Sequence, residues 1–555
     1  MNAQSFFKTH KEINPFNYKV VKNKIFNKGA VSCAHPLASM VGAAILKEGG
    51  NAFDAAIAVQ LALAVVYPAA GNIGGGGFLL ARKADGTLIG LDYREAAPLK
   101  AHKNMYLDEK GNPITNLSMT GSLAAGIPGT IAGLFETHKY AVLPFSKLIE
   151  PAIELALYGF VITQREATNL NRLNHQFIKN STNQNIAFCI KNHWNEGDTL
   201  IQKDLANTLI RIKEQGKKGF YEGKTADLIV AEMKRGKGII DYADLKNYKA
   251  IYRTPIEFNY NGYHLISFAP PSSGGILLAQ MLKMIEPYKI KNYGFQTPKS
   301  VQLMIEVERR AFADRAEHLG DPDFWKVPTK QLINEKYLKS RMKDYDSTKA
   351  NNSNNIKAGN IHESEETTHL SIIDEQGNVI SVTTTLNDSY GCKTVVGEAG
   401  FILNNEMDDF SVKPGTPNMY GAIGGEANSI QPNKRMLSSM TPTIVLKNNK
   451  PFLTVGTPGG TTIPTSIFQT IVNLIDFNLS LEESINNPKF HHQWKPDEVL
   501  IEKNFKIETL SKLSSMGYSI KNRAAIGRTE AIKVLSNNQK EAVADNRGDD
   551  SVAGY

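Results

Sequence analysis

Apolar residues cover nearly every face of residues 34–48 and 51–67, which predicts two helices buried on more than one side. Gly49-Gly50 ends the first and Pro68 stops the second. A glycine-dense turn follows at 71–77. Residues 78–81 and 88–93 then read as a strand hairpin turning around Asp85-Gly86. From 130 to 345 the pattern is mostly helical, with strands near 256–268. The character changes at 347–366, which is rich in Asn, Ser, Lys and Glu and almost free of apolar residues. Such a stretch buries too little surface to order itself and is expected to be a linker. Directly after it, residues 368–374 and 379–387 are β-branched and alternating, joined by Glu375-Gln376-Gly377-Asn378, which predicts a hairpin. Further strands are expected at 443–446 and 452–455, and helices at 463–475 and 480–486. This order fits a layered α+β protein better than a doubly wound parallel sheet, and no internal repeat is visible.

Composition narrows the function. The 555 residues exceed one ordinary core and imply one very large or two intertwined domains. Apolar residues make up 41% and charged residues 21%, as in an ordinary globular protein. The net charge of +8 is spread among acids with no run of five basic residues, which argues against a nucleic-acid surface. Cys33, Cys189 and Cys392 are far apart in sequence, so they form no CxxC pair or zinc knuckle. The most apolar stretch, 55–67, follows Asp54, contains Gln60 and is too short to cross a membrane. Residues 1–28 are polar and lysine-rich, with no apolar leader core.

Candidate chemistry begins where the linker runs into the hairpin, at Thr367-Thr368-His369. If the bond before Thr367 breaks, that residue gains a free α-amine beside its own hydroxyl. An α-amine has a pKa of roughly 8 and is a competent general base for a threonine nucleophile. Threonine also simply favours strand starts. The short turn pairs Thr367 with about residue 386, within one position, so Thr385 and Asn387 are expected beside it. The sequence Thr457-Pro458-Gly459-Gly460-Thr461 lies between a strand and a helix, where N–H groups can face an oxyanion or where the chain merely turns. Arg94, the Ser438-Ser439 pair and the acidic run Asn404 to Phe410 are weaker signals individually. The acidic run lacks metal-loop spacing and a histidine partner, so no metal is expected.

Together these segments resemble the γ-glutamyltranspeptidase (glutathione hydrolase) family over nearly the whole chain. The resemblance is carried by Gly71-Asn72-Ile73-Gly74-Gly75-Gly76-Gly77-Phe78, Tyr93-Arg94-Glu95, Thr367-Thr368-His369 and Thr383-Thr384-Thr385-Leu386-Asn387. It continues through Asn404 to Phe410, Leu437-Ser438-Ser439-Met440, Pro458-Gly459-Gly460 and Ala553-Gly554-Tyr555. It implies the four-layer αββα sandwich of N-terminal nucleophile hydrolases, two antiparallel sheets enclosed by helices. It implies cleavage between Glu366 and Thr367 into a large subunit, 1–366, ending in a flexible linker at 346–366, and a small subunit, 367–555, intertwined in one unit. By the same resemblance, Thr367 is the nucleophile and Thr385 holds its amine. Arg94, Ser438 and Ser439 bind the donor's α-carboxylate, and Asn387, Glu406 and Asp409 bind its α-amine. The N–H groups of Gly459 and Gly460 form the oxyanion hole, and Tyr420 belongs to a lid loop at 414–425. The implied reaction takes a γ-glutamyl group from glutathione or a related donor and passes it to water, an amino acid or a peptide, with no cofactor. A periplasmic or secreted location is implied, with the leader not visible in this chain. The alternatives are an acylase acting on cephalosporin or glutaryl side chains, and an unprocessed, inactive binding relative.

Overall fold

The computed structural model describes residues 5–181, 186–356, 367–413 and 425–555. Fourteen strands of the described residues build two sheets: β1 (Asn23–Phe26), β2 (Ala30–Cys33), β3 (Gly76–Arg82), β4 (Leu88–Asp92), β5 (Ile251–Tyr252), β6 (Ile256–Tyr260), β7 (Tyr263–Ser267), β8 (Thr368–Ile373), β9 (Val379–Thr385), β10 (Thr443–Lys447), β11 (Lys450–Gly456), β12 (Glu530–Val534), β13 (Lys540–Ala544) and β14 (Ser551–Gly554). One sheet has the order β14-β2-β8-β9-β3-β4-β5 and the other β1-β13-β12-β11-β10-β7-β6, with neighbours antiparallel.

Three hydrophobic clusters separate four layers. Leu370, Ile372, Ile380 and Val382 pack outward against α1 (Pro36–Lys47) and α2 (Ala52–Val66). Phe78, Leu80, Ile373 and Val379 meet Ile266, Phe268, Ile444 and Ile532 between the sheets. Val445, Leu453 and Val455 pack outward against α3 (Gly274–Ile285), α4 (Pro298–His318) and α5 (Thr462–Ile475). The α+β, four-layer expectation therefore holds.

The helices start where the sequence predicts. The His35 ring caps α1, accepting from Leu37 N, and Asn51 and Asp54 cap α2 reciprocally. The predicted hairpin is β8–β9, in register from Thr368 opposite Thr384 to Ile373 opposite Val379. Its turn is held by Asp374, which accepts from Asn378 N at 2.8 Å and from Ala52 N, the first residue of α2, at 2.9 Å.

Alternation puts His369 and Ser371 on the face opposite to Leu370 and Ile372. That face meets the second sheet: Ser371 Oγ donates to Glu530 O at 3.2 Å, and Ser381 Oγ donates to Val455 O at 3.2 Å. The inter-sheet seam is thus apolar at the Ile373 end and polar at the Thr367 end.

One expectation needs correction. The polar stretch from 346 is anchored over its first part. Ala350 N donates to Met516 O, and Ser353 N donates to Asp497 at 2.8 Å. The Trp494 indole N–H reaches the carbonyls of Ser353 and Ile356, both at 3.0 Å. Hydrogen bonds to the backbone replace the apolar burial that the composition lacks. The remainder, 357–366, which includes Glu366, lies outside the described residues, and so does Tyr420, expected to belong to a lid loop.

Candidate active site

Apart from Ala553-Gly554-Tyr555, which pairs at the Ile373 end, the strand-flanking motifs lie at one end of the sandwich. Thr367 precedes β8, Thr385 ends β9 and the glycine turn leads into β3, with Thr385 opposite Gly76. Tyr93-Arg94-Glu95 follows β4, the serine pair precedes β10, and Thr457 to Gly460 follows β11. The second sheet meets the first here. A Cβ on Gly456, the last residue of β11, would lie 2.1 Å from the His369 ring, two residues from Thr367. Burial pushes the pKa of that histidine down to about 3, so it is neutral. Its ring bonds Thr383 Oγ1 at 2.9 Å and Ser371 Oγ at 3.1 Å.

Thr367 is 5% exposed, and its hydroxyl donates to Thr385 Oγ1 at 3.4 Å. Thr385 Oγ1 also accepts from Asn387 N at 2.8 Å. Asn387 adopts a left-handed backbone, φ 74°, which ends the strand and sends its amide to Asn405 O at 3.1 Å. Behind Thr385 stands Asn72, for which no role was expected. Its Nδ2 donates to Thr385 O at 2.9 Å and to Ala70 O, while its Oδ1 accepts from Gly75 N at 2.9 Å and Thr130 Oγ1 at 2.7 Å. One side chain thus ties the glycine turn to the strand beside Thr367.

A second group is ionic and buried. Arg94, 1% exposed, pairs with Glu406 at 2.6 Å and with Asp409, while Glu95 lies 3.6 Å away. Its Nε also reaches Met436 O at 3.5 Å. Glu406 and Asp409 lie on one 3-10 turn, Glu406–Asp409, whose entry is fixed by Asn404: its Oδ1 accepts from Glu406 N and Gly126 N, and its Nδ2 donates to Gly74 O. The residues expected to receive a carboxylate and an ammonium are therefore in direct contact. An α-amino acid carries both groups on one carbon, so their receptors must be neighbours.

Three acids share one arginine here. Burial pushes Glu95 up to about 8, with Arg94 pulling down and Asp409 and Asp92 pushing up. Burial also raises Glu406 far above the usual carboxylate range and raises Asp409, both against the pull of Arg94. Such a cluster holds extra protons or accepts a cation.

The third group is Ser438 and Ser439. Ser438 Oγ accepts from Met440 N at 3.2 Å. Ser439 Oγ accepts from Arg315 Nη2 at 3.0 Å, and the Arg315 charge also pulls Asp409 down, which links this group to the acids. The fourth is the glycine turn. Gly459 and Gly460 have φ of 135° and 57°, which L side chains rarely adopt, and α5 begins two residues later. Gly459 O closes the turn by accepting from Thr462 N at 3.0 Å. The amides of such a turn, at the positive end of a helix dipole, suit a developing oxyanion.

The structure brings Thr367, Thr385 and Asn387 together, sets Arg94 against Glu406 and Asp409, and places the serine pair and the glycine turn at the same end of the sandwich. The sequence reading gave no separate role to Asn72, Glu95, Asn404 or Arg315. Asn72 and Glu95 sit inside motifs it quoted. Arg315 carried no signal, being one of several charges in a helix whose buried face the sequence does not reveal.

The gamma-glutamyltranspeptidase profile matches residues 38–555. The chain is 46% identical over 538 residues to the glutathione hydrolase proenzyme of Escherichia coli (strain K12), covering 95% of this chain and 92% of that one. Its fold is similar to a cephalosporin acylase from Bacillus halodurans, with a TM-score of 0.84 at 25% identity over 96% of this chain and 97% of that one. A Helicobacter pylori gamma-glutamyltranspeptidase structure is 46% identical with a TM-score of 0.57, covering 58% of this chain and 93% of that one.

Proposed function

The chain belongs to the gamma-glutamyltranspeptidase family, and on that premise we propose that Thr367, freed by cleavage of the bond before it, is its nucleophile. The protein is an autoprocessing enzyme that cleaves the γ-glutamyl amide of glutathione and related compounds. The observation that carries the assignment is the Thr367 hydroxyl at the head of a central strand, 3.4 Å from Thr385 Oγ1.

Processing comes first. Thr367 Oγ1 attacks the carbonyl carbon of Glu366, the bond to nitrogen breaks, and an ester forms. Water opens the ester, leaving a carboxylate on Glu366 and a free hydroxyl and α-amine on Thr367. The neutral amine, held by Thr385, then acts as base. It takes the hydroxyl proton as Oγ1 attacks the donor's γ-carbonyl carbon. The oxygen that becomes negative is received by the Gly459 and Gly460 amides. The leaving amine departs with the proton, and water or the amine of an amino acid or peptide attacks the ester in turn.

Donor selection falls to the buried ionic group. Arg94 fits a carboxylate through two parallel hydrogen bonds, assisted by Ser438 and Ser439. Glu406, Asp409 and Asn387 suit the ammonium on the same carbon. A glutaryl side chain carries no such ammonium, so three acids around one arginine favour a γ-glutamyl donor over a glutaryl-acylase reading. An inactive binding protein would need neither the nucleophile nor its partner. We place the enzyme in the periplasm or outside the cell, as the family resemblance implies. Among the described residues no helix is long and apolar enough to cross a membrane.

The test is a denaturing gel with N-terminal sequencing. Wild type should give pieces of 366 and 189 residues, the smaller reading Thr-Thr-His-Leu-Ser. Thr367→Ala should stay one inactive chain, whereas Thr367→Ser should still cleave. An active wild-type enzyme that remained full length would refute the assignment.

A further inference from the structure

We propose that Arg315 is a positioning residue for donor selection, which orients the Ser439 hydroxyl, and the Ser438 segment with it, toward the donor's α-carboxylate. This rests on the donor-site reading above.

Arg315 lies near the end of α4 and is fully buried. One edge of its guanidinium makes both contacts: Nε donates to Ser273 Oγ at 2.8 Å and Nη2 donates to Ser439 Oγ at 3.0 Å. Ser273 in turn donates its hydroxyl to Ser438 O at 2.8 Å and its backbone N–H to the same carbonyl at 2.7 Å. The arginine therefore grips the backbone of one serine and the side chain of the next.

The direction of these bonds matters more than their number. A hydroxyl has one proton and two lone pairs. Ser273 receives from Arg315, so its proton goes to Ser438 O. Ser439 also receives from Arg315, so its own O–H is the group left to donate. Ser438 Oγ receives from Met440 N, with the same consequence. Two hydroxyls side by side, each with its O–H still to donate, suit a carboxylate, which can accept from both. The Arg315 charge acts in the same sense, since its field already stabilises the ionised form of Asp409. Lysine would keep that charge and lose the planar two-point edge.

The experiment compares two chromogenic donors, γ-glutamyl-p-nitroanilide and 4-aminobutyryl-p-nitroanilide. The second keeps the amine and the scissile amide and lacks only the α-carboxylate. With Arg315→Lys, kcat/KM for the first should fall about tenfold to a hundredfold, the size of one charged hydrogen bond, mainly through KM. For the second it should stay within about twofold of wild type, as expected when the group acted on is missing. In a Ser439→Ala background, Arg315→Lys should add a smaller loss than in wild type, since only the arm through Ser273 to Ser438 remains. Equal losses with both donors would overturn the proposal and make Arg315 merely structural. A wild-type enzyme that does not prefer the γ-glutamyl donor would instead overturn the carboxylate seat itself. Should Arg315→Lys not accumulate as folded protein, Ser273→Ala, which removes the Nε acceptor and one hydroxyl, carries the same comparison with the same two outcomes.

Discussion

Replacing Gly75 with alanine should disable the enzyme by moving a strand rather than by removing a reactive group. A Cβ at Gly75 would lie 2.1 Å from Thr385 O and 2.8 Å from Asn72 Oδ1. Neither obstacle can swing away. The first is backbone in a central strand, and the second is fixed by Gly75 N and Thr130 Oγ1. Relief to an ordinary contact needs a displacement of about 1 Å, and a misplacement of that size at a reacting group costs about a hundredfold in rate. Thr385 is the residue that meets Thr367, so kcat should fall by that factor while KM changes little. Overpacking should also lower stability by about 1–3 kcal/mol. The assay is kcat with γ-glutamyl-p-nitroanilide per mole of processed enzyme, with the processed fraction read from a gel and a melting curve alongside. Gly42→Ala is the control. Its Cβ would meet Val59 Cγ2 at 2.5 Å between α1 and α2, so it should cost stability and spare kcat. If Gly75→Ala kept kcat within about twofold of wild type, or lost no more than Gly42→Ala, strand position would not govern the nucleophile.

Arg94→Lys should raise KM for γ-glutamyl donors about tenfold to a hundredfold, because one ammonium cannot reproduce the planar fork, while self-cleavage, which uses no donor, proceeds on the gel as in wild type. A pH effect follows from the acids: Glu95 is pushed up to about 8 and Glu406 well above its ordinary range, so both gain charge as pH rises. KM for a donor bearing the α-ammonium should therefore fall between about pH 6 and pH 8, and KM for glutaryl-p-nitroanilide should not. Because these folded-state values lie above the unfolded ones, the folded protein binds more protons, and this cluster's contribution to stability should decline as pH rises from about 4.5 to 8, in melts run across that range. The single-turnover acylation rate should rise with pH as the Thr367 α-amine loses its proton; a flat profile would remove the amine as base.

Local pattern carried the first layer of this structure. The caps and stops of α1 and α2, and the β8–β9 register to within one residue, depend on contacts within about twenty residues of sequence. What escaped the sequence is long-range. Trp494 anchors Ser353 and Ile356 from the far side of the chain, so a stretch too polar to order itself is ordered by another segment. Alternation in β8 and β9 predicts a strand pair and does not say what covers its polar face. His369, Ser371, Ser381 and Thr383 are all buried, because a second sheet covers them; the Ser371 and Ser381 hydroxyls bond across to it and Thr383 bonds His369 beneath it. Binary pattern cannot separate a polar seam from a solvated face. The same limit hid Arg315, and it hid the pairing of Arg94 with the acids, since residue type gives chemistry but not which charges meet.

Sheet topology explains why a cut before Thr367 need not release either product. In the first sheet β8 and β9 come after the cut, yet they are flanked by β2 and β3, which come before it, and β14 from the very end of the chain adds to β2 on its outer side. In the second sheet β1 pairs with β13, and β10 with β7, again across the cut. Parting the pieces would break five antiparallel ladders and strip all three hydrophobic layers, not unthread one linker. A fold interleaved in this way can afford to place its nucleophile at a chain terminus. On the proposed mechanism the new α-amine would appear at the head of a central strand, beside Thr385, so the base would arrive in position as the bond that hid it is cut.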